Sequence, residues 1–160
     1  MNERTLSSTE DLIEKMEQNW FISEATKLVV KIHRLHHFHL KELDAVIKAS
    51  QLTIAEFNVL MSLRRQPAQR PLTPKELAHD LLFSTGGLTK VINKLVKKGL
   101  IIPTDNINDQ RSKRLSLTHS GQLLVEGLYA EVNQTRQQNV NPLSDKEQRE
   151  LNRLLSKLLK

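Results

Sequence analysis

The stretch from Leu72 to Leu117 constrains this chain more than any other. It holds two capped helical patterns placed back to back, then two short apolar runs around a polar, basic tip. Thr73-Pro74-Lys75-Glu76 opens the first pattern. A threonine side chain can accept free backbone N–H groups, proline fits the first helical position, and the glutamate completes a capping box. Leu77, Ala78 and Leu81 follow as a short apolar stripe. Ser84 is a second N-cap candidate, and the helix it opens runs to Lys97-Lys98-Gly99. Cations in a last turn with glycine just beyond are a helix stop.

The second helix has two different faces. At 100° per residue, Leu88, Val91, Ile92 and Leu95 fall on one side. Gly86, Thr89, Lys90, Asn93 and Lys97 fall on the other, with Lys94 on its flank. The outer face can meet base edges and phosphates; the plain alternative is a solvated lysine face. Gly86 and Gly87 are poor helix formers, and their missing side chains would let this end approach another surface closely. Next, Leu100-Ile101-Ile102 reads as a strand, 105–109 as a turn-rich tip, and 113–118 as a strand of period two. Arg111, Lys113 and Arg114 cluster at the return of this hairpin. From Gly86 to Arg114 there are seven Lys/Arg against two acids, so most of the chain's net charge of +6 lies here. A basic tip beside a basic helix is the footprint of phosphate contact. The order of elements predicts a mostly α fold with a small β-hairpin wing, a winged helix-turn-helix.

Five local motifs in this order carry a resemblance to the MarR family of bacterial transcriptional regulators. They are Leu72-Thr73-Pro74-Lys75-Glu76-Leu77, Ser84-Thr85-Gly86-Gly87-Leu88-Thr89-Lys90, Lys97-Lys98-Gly99-Leu100-Ile101, Asp109-Gln110-Arg111-Ser112 and Leu117-Thr118-His119-Ser120-Gly121. The similarity extends over roughly residues 25 to 159; Pro103-Thr104 departs from it, standing where a basic pair is common. The resemblance implies a homodimer that binds double-stranded DNA, two recognition helices reading successive major grooves of a palindrome. It assigns Lys90 and Asn93 to base edges or nearby backbone, and Ser84, Thr85, Gly86, Gly87 and Thr89 to positioning the helix start. Lys94, Lys113 and Arg114 join the DNA-binding set. Arg111 is the candidate for minor-groove insertion, oriented by Asp109. It also implies a small-molecule effector, held between dimerisation helices and the winged region.

Composition narrows the field. At 160 residues the chain is expected to form one domain; the resemblance implies 1–50 and 119–160 as dimerisation helices and 53–118 as the DNA-binding region. There is no cysteine, which excludes disulfides, thiol redox sensing and cysteine metal sites, and fits a reducing cytoplasm. No stretch has the ~20 apolar residues needed to span a membrane, and Met1-Asn2-Glu3-Arg4 precedes no apolar signal region, so export is not expected. No phosphate-cradling glycine loop, H-E-x-x-H motif, nucleophile elbow or cysteine nucleophile is present, and no enzyme activity or cofactor is expected.

The remainder reads as the apparatus that holds and pairs the winged region. Ser7-Ser8-Thr9-Glu10-Asp11 offers overlapping caps to a short helix carrying Leu12, Ile13 and Met16. Trp20-Phe21-Ile22 is an anchor in a core or between subunits, or Trp20 walls a ligand pocket, as the resemblance to some urate- and aromatic-sensing relatives allows. A long amphipathic helix is predicted from Ser23 to about Ser50. It carries His33, His36, His37 and His39, of which His36 and His39 lie with the apolar stripe and are candidate pocket walls. A zinc-responsive regulator of the same fold is an alternative, but zinc needs three or four ligands and no metal site is assigned. A winged-helix module that binds protein is another. Thr53-Ile54-Ala55-Glu56 caps the next helix, and 64–71 is a basic loop. After the wing, Thr118 caps a helix expected to fade from Asn133. Ser144-Asp145-Lys146-Glu147 caps a last helix whose stripe Leu151, Leu154, Leu155, Leu158 and Leu159 suits a partner helix.

Overall fold

A computed structural model of the chain describes residues 6–67, 70–81, 85–106 and 113–160. Described elements run in the order α1 (Leu6–Asn19), α2 (Glu24–Ala49), α3 (Ile54–Arg64), α4 (Pro74–Leu81), α5 (Thr85–Lys97), β1 (Ile101–Asp105), β2 (Lys113–Leu117), α6 (His119–Val140) and α7 (Asp145–Leu158). The mostly helical fold with a β-hairpin wing matches the sequence expectation. The chain divides into two compact units, Asp44–Gln138 and Met1–Leu43 with Asn139–Lys160.

Within Asp44–Gln138 the starts of α3 and α4 follow from local chemistry. Thr53 caps α3: the Glu56 N–H donates to its Oγ1 at 3.2 Å, while the Thr53 N–H donates to Glu56 Oε2 at 2.8 Å. Thr73 and Glu76 repeat the arrangement at α4, with distances of 3.2 and 2.6 Å. Helix α5 ends on Gly99 at φ +68°, the left-handed conformation that costs glycine nothing. There the Leu100 N–H reaches Leu95 O at 3.0 Å and the Gly99 N–H reaches Val96 O at 2.9 Å, which satisfies two terminal carbonyls.

The hairpin is antiparallel, pairing Ile101 with Leu117 and Asp105 with Lys113. The first strand thus continues past the expected Ile102, because Pro103 and Thr104 keep their pairing with Leu115 and Arg114. Leu72 adds a backbone bridge to Leu115, with N–H to O distances of 3.1 and 2.8 Å. The wing root is thereby joined to the segment leading into α4. Phe57, Leu60, Leu72, Leu77, Leu88, Leu95, Leu115, Val125 and Val132 form the buried centre of this unit.

Gly121 shows why the Leu-Thr-x-x-Gly segment is built as it is. A Cβ there would lie 2.0 Å from Leu100 O. The Thr118 N–H donates to that same carbonyl at 3.0 Å, Thr118 Oγ1 donates to Gly99 O at 2.7 Å, and the Gly121 N–H donates to Thr118 Oγ1 at 3.0 Å. The start of α6 therefore sits directly on the start of β1. Helix α6 does not fade at Asn133 but continues to Val140. The glutamines and arginine beyond Asn133 are good helix formers, and polarity alone does not end a helix.

In the other unit, ion pairs join α1 to α2: Lys27 Nζ to Glu17 Oε1 at 2.6 Å and Lys31 Nζ to Glu10 Oε1 at 3.1 Å. Ser7, Ser8 and Thr9, the cap candidates of the sequence, lie within the span Leu6–Asn19 of α1. Helix α7 has no buried residue.

Candidate nucleic-acid interface

Helix α5 separates its two faces as the periodicity requires. Leu88, Ile92 and Leu95 are buried, while Gly86, Gly87, Thr89, Lys90, Asn93, Lys94 and Lys97 are exposed. Among the described residues nothing lies within 4 Å of a Cβ built on Gly86. Thr85 opens the helix; Ser84, Asp109 and Arg111 lie outside the described residues.

The cations of this region are not equivalent. Lys113 is ion-paired with Asp105 across the hairpin, and Lys113's hydrogen bond and charge hold the Asp105 carboxyl below its ordinary range. Arg114 turns inward: its Nη1 donates to Pro71 O at 3.1 Å and its Nε to Asn106 Oδ1 at 3.2 Å. Asn106 is itself buried. Lys98 Nζ donates to Glu56 Oε1 at 2.9 Å and to Gln51 O at 2.8 Å. Burial pushes the Glu56 carboxyl up, but hydrogen bonds from Lys98 and Thr53 outweigh it and hold the group below its ordinary value. Arg70, in the expected basic loop, donates to Glu76 at 2.8 Å. The Thr73 N–H and Arg70 together bring the Glu76 carboxyl down to about 2. Lys90, Lys94 and Lys97 have no ion-pair partner among the described residues.

A cavity of about 730 Å³ opens among α3, α4 and α6. Phe57, Met61, Leu81, Val125 and Tyr129 give it apolar walls, and Arg64, Arg65 and Arg136 bring positive charge. Glu126 faces it too: Arg64 Nε donates to Glu126 Oε1 at 2.7 Å and Gln122 Nε2 to the same oxygen at 3.0 Å. Those two bonds, that from Gln122 foremost, hold the Glu126 carboxyl below its ordinary range. Trp20, His36 and His39 do not line this cavity. Trp20 is 68% exposed and His36 is exposed, while half-buried His39 has Nδ1 3.1 Å from Asn139 Nδ2. Among the described residues no group of three or more His, Cys, Asp or Glu is disposed to hold a metal ion. In the sequence Phe57 is marked out only as an apolar residue of its helix, nothing marks out Tyr129 or Arg136, and the Arg64-Arg65 doublet is the signal this part of the chain offers.

Comparison with known proteins places this geometry. A profile of the MarR family matches residues 50–112. The multiple antibiotic resistance protein MarR of Escherichia coli K12 is 31% identical over 129 residues, which span 80% of this chain and 88% of that protein. The chain belongs to the MarR family. Another relative, the HTH-type transcriptional regulator PecS of Dickeya dadantii, is 27% identical over 120 residues, 75% of this chain and 72% of PecS. A cysteine-to-serine mutant of E. coli MarR, solved in complex with operator DNA, superposes with a TM-score of 0.76 at 30% identity. That match covers 86% of this chain and 96% of the solved one. These relatives are transcriptional regulators, and this MarR-family chain carries the winged helix they share. Among its described residues no helix is long and apolar enough to cross a membrane.

Proposed function

We propose that this MarR-family chain is a cytoplasmic, sequence-specific DNA-binding regulator that acts as a homodimeric repressor and responds to a small-molecule effector. The observation that carries this reading is the division of α5, whose apolar side is buried while Lys90, Asn93, Lys94 and Lys97 stand exposed. Similarity to a MarR solved on operator DNA supports it. Residues 53–118 supply the reading head. Residues 1–50 and 119–160 supply the dimer, for which the exposed leucines of α7 and of α2 (Leu28, Leu35) are available. In the dimer two α5 helices enter successive major grooves about 34–36 Å apart. Lys90 and Asn93 meet base edges, and Arg111, oriented by Asp109, enters the minor groove.

The effector site is the cavity among α3, α4 and α6. Its apolar walls and three arginines against one glutamate suit a flat organic anion, such as an aromatic carboxylate. Binding releases the operator by favouring a dimer whose α5 spacing mismatches the two half-sites.

Selection of bound sequences from a random DNA pool at physiological salt tests the first part. One palindrome with half-sites a helical turn apart is the expected product. Recovery of no motif, with only weak salt-sensitive binding, would refute sequence reading. Titrating aromatic carboxylates into the recovered complex then tests the effector site. Release should be abolished by Arg136→Ala, and release that persists unchanged in that variant would remove the cavity from the mechanism.

A further inference from the structure

The four lysines of α5 and its C-terminal turn divide three to one. All four are exposed, but the Lys98 ammonium is held by Glu56 Oε1 and Gln51 O, whereas Lys90, Lys94 and Lys97 have no ion-pair partner among the described residues. Glu56 is only 2% exposed, and its other oxygen is taken by the Thr53 N–H and hydroxyl at 2.8 and 3.0 Å. We infer that Lys98 is a positioning residue of the DNA-reading helix, an internal tie that fixes the end of α5 to the start of α3, and not one of the cations that meet phosphate. The inference rests on the DNA-binding reading given above.

Three physical points carry it. A Lys98 side chain that swung out to a phosphate would leave a buried carboxylate without its cation, which is strongly unfavourable. The tie also lands where the backbone is already committed. Gln51 sits at φ +56°, a conformation rare for a residue other than glycine, and presents its carbonyl to Lys98. Glu56 caps α3 in the same network, so one ammonium joins the end of α5, the turn that leaves α2 and the first turn of α3. Finally, the buried Leu88, Ile92 and Leu95 set the rotation of α5 about its axis, but a helix packed along one stripe can still tilt. At 1.5 Å per residue α5 is about 20 Å long, and a tilt of about 5° at one end moves the other by nearly 2 Å. A displacement of that size is enough to misplace Lys90 and Asn93 relative to a base edge. The tie therefore governs sequence discrimination more than gross affinity.

The test compares Lys98→Met and Lys98→Arg with wild type on two duplexes, the sequence selected by the wild-type protein and a scrambled duplex of equal length, over a range of salt. Lys98→Met should lose about tenfold on the selected duplex, the discrimination carried by roughly one base contact. It should be nearly unchanged on the scrambled duplex and keep the wild-type salt slope on both. Lys98→Arg should restore discrimination. Because Lys98→Met leaves Glu56 buried without its cation, the double variant Lys98→Met/Glu56→Gln is measured alongside and should show the same loss. A salt slope shallower by about 0.9 on both duplexes would make Lys98 a phosphate ligand and overturn the inference. Unchanged affinity of the fully folded variants on both duplexes would overturn it equally, reducing the tie to fold stability. Should the wild type select no motif, sequence reading itself fails. Amide hydrogen exchange then judges the tie, with faster exchange expected at the end of α5 and at Leu52 and Thr53. Exchange unchanged from wild type would overturn it.

Discussion

Helices α5 and α7 carry the same kind of apolar stripe and meet opposite fates. In α5 the stripe of Leu88, Ile92 and Leu95 is buried by the chain's own α3, α4 and β1. In α7, Leu151, Leu154, Leu155 and Leu158 remain exposed, Leu158 by 64%. Periodicity announces in both cases that one face seeks cover. It does not say whether the cover comes from the same molecule. That depends on what the intervening loops bring back, a property of the whole chain. The contrast teaches that an amphipathic pattern is a statement about a missing neighbour. Only the packed structure distinguishes a stripe that the chain covers itself from one that it leaves exposed.

The largest effect is expected where the chain supplies its own cover. Leu95→Ala should destabilise the protein by about 2–5 kcal/mol, since a fully buried leucine loses both its transfer free energy and its packing. Chemical denaturation measures this directly, and a loss below about 1 kcal/mol would mean that the α5 seam repacks freely. In the proposed homodimer, replacing Leu154 and Leu158 of α7 together by Ser should instead shift the sedimenting species from dimer toward monomer. An unchanged mass would show that this stripe is not the seam of the proposed dimer.

The smallest effect contrasts the two helix starts. Glu76 caps α4 with Arg70 beside it and titrates near 2, whereas Glu147 caps α7 with only the Ser144 hydroxyl and N–H to lower it. A carboxyl depressed from 4.5 to about 2 contributes stability that is present above pH 4.5 and lost as pH falls through 2. Melting temperatures of wild type and Glu76→Gln should therefore differ at neutral pH and converge between pH 4.5 and 2. The pair Glu147→Gln and wild type should differ less throughout. A gap for Glu76→Gln that is independent of pH would mean the cap does not depend on its charge.

What was legible in the sequence was local. Thr53 with Glu56 and Thr73 with Glu76 announce their own helices, because the groups that satisfy the first turn lie within that turn. Gly99 announces the end of α5 for the same reason. The hairpin and its strand period were equally readable, although β1 runs to Asp105 since pairing with Lys113 outweighs the proline at 103. What was not legible depends on partners far away in the chain. Lys98 looks like its neighbours until Glu56 is found beside it, 42 residues earlier, and Arg114 until Pro71, 43 residues earlier. The cavity was invisible for a related reason. It is a gap left between α3, α4 and α6, and a gap has no sequence of its own.

The bridge between Leu72 and Leu115 has a mechanical meaning. A free two-stranded hairpin is a compliant arm, and a load on its tip is dissipated in twist. Cross-braced by a pair of backbone bonds, the root of this wing becomes a bracket whose third leg runs straight into the cap of α4. A pull on the wing is delivered to that helix, and a shift of that helix is delivered to the wing. Stiffness of this kind ties the geometry of the wing root to that of α4, where a softer arm would simply conform.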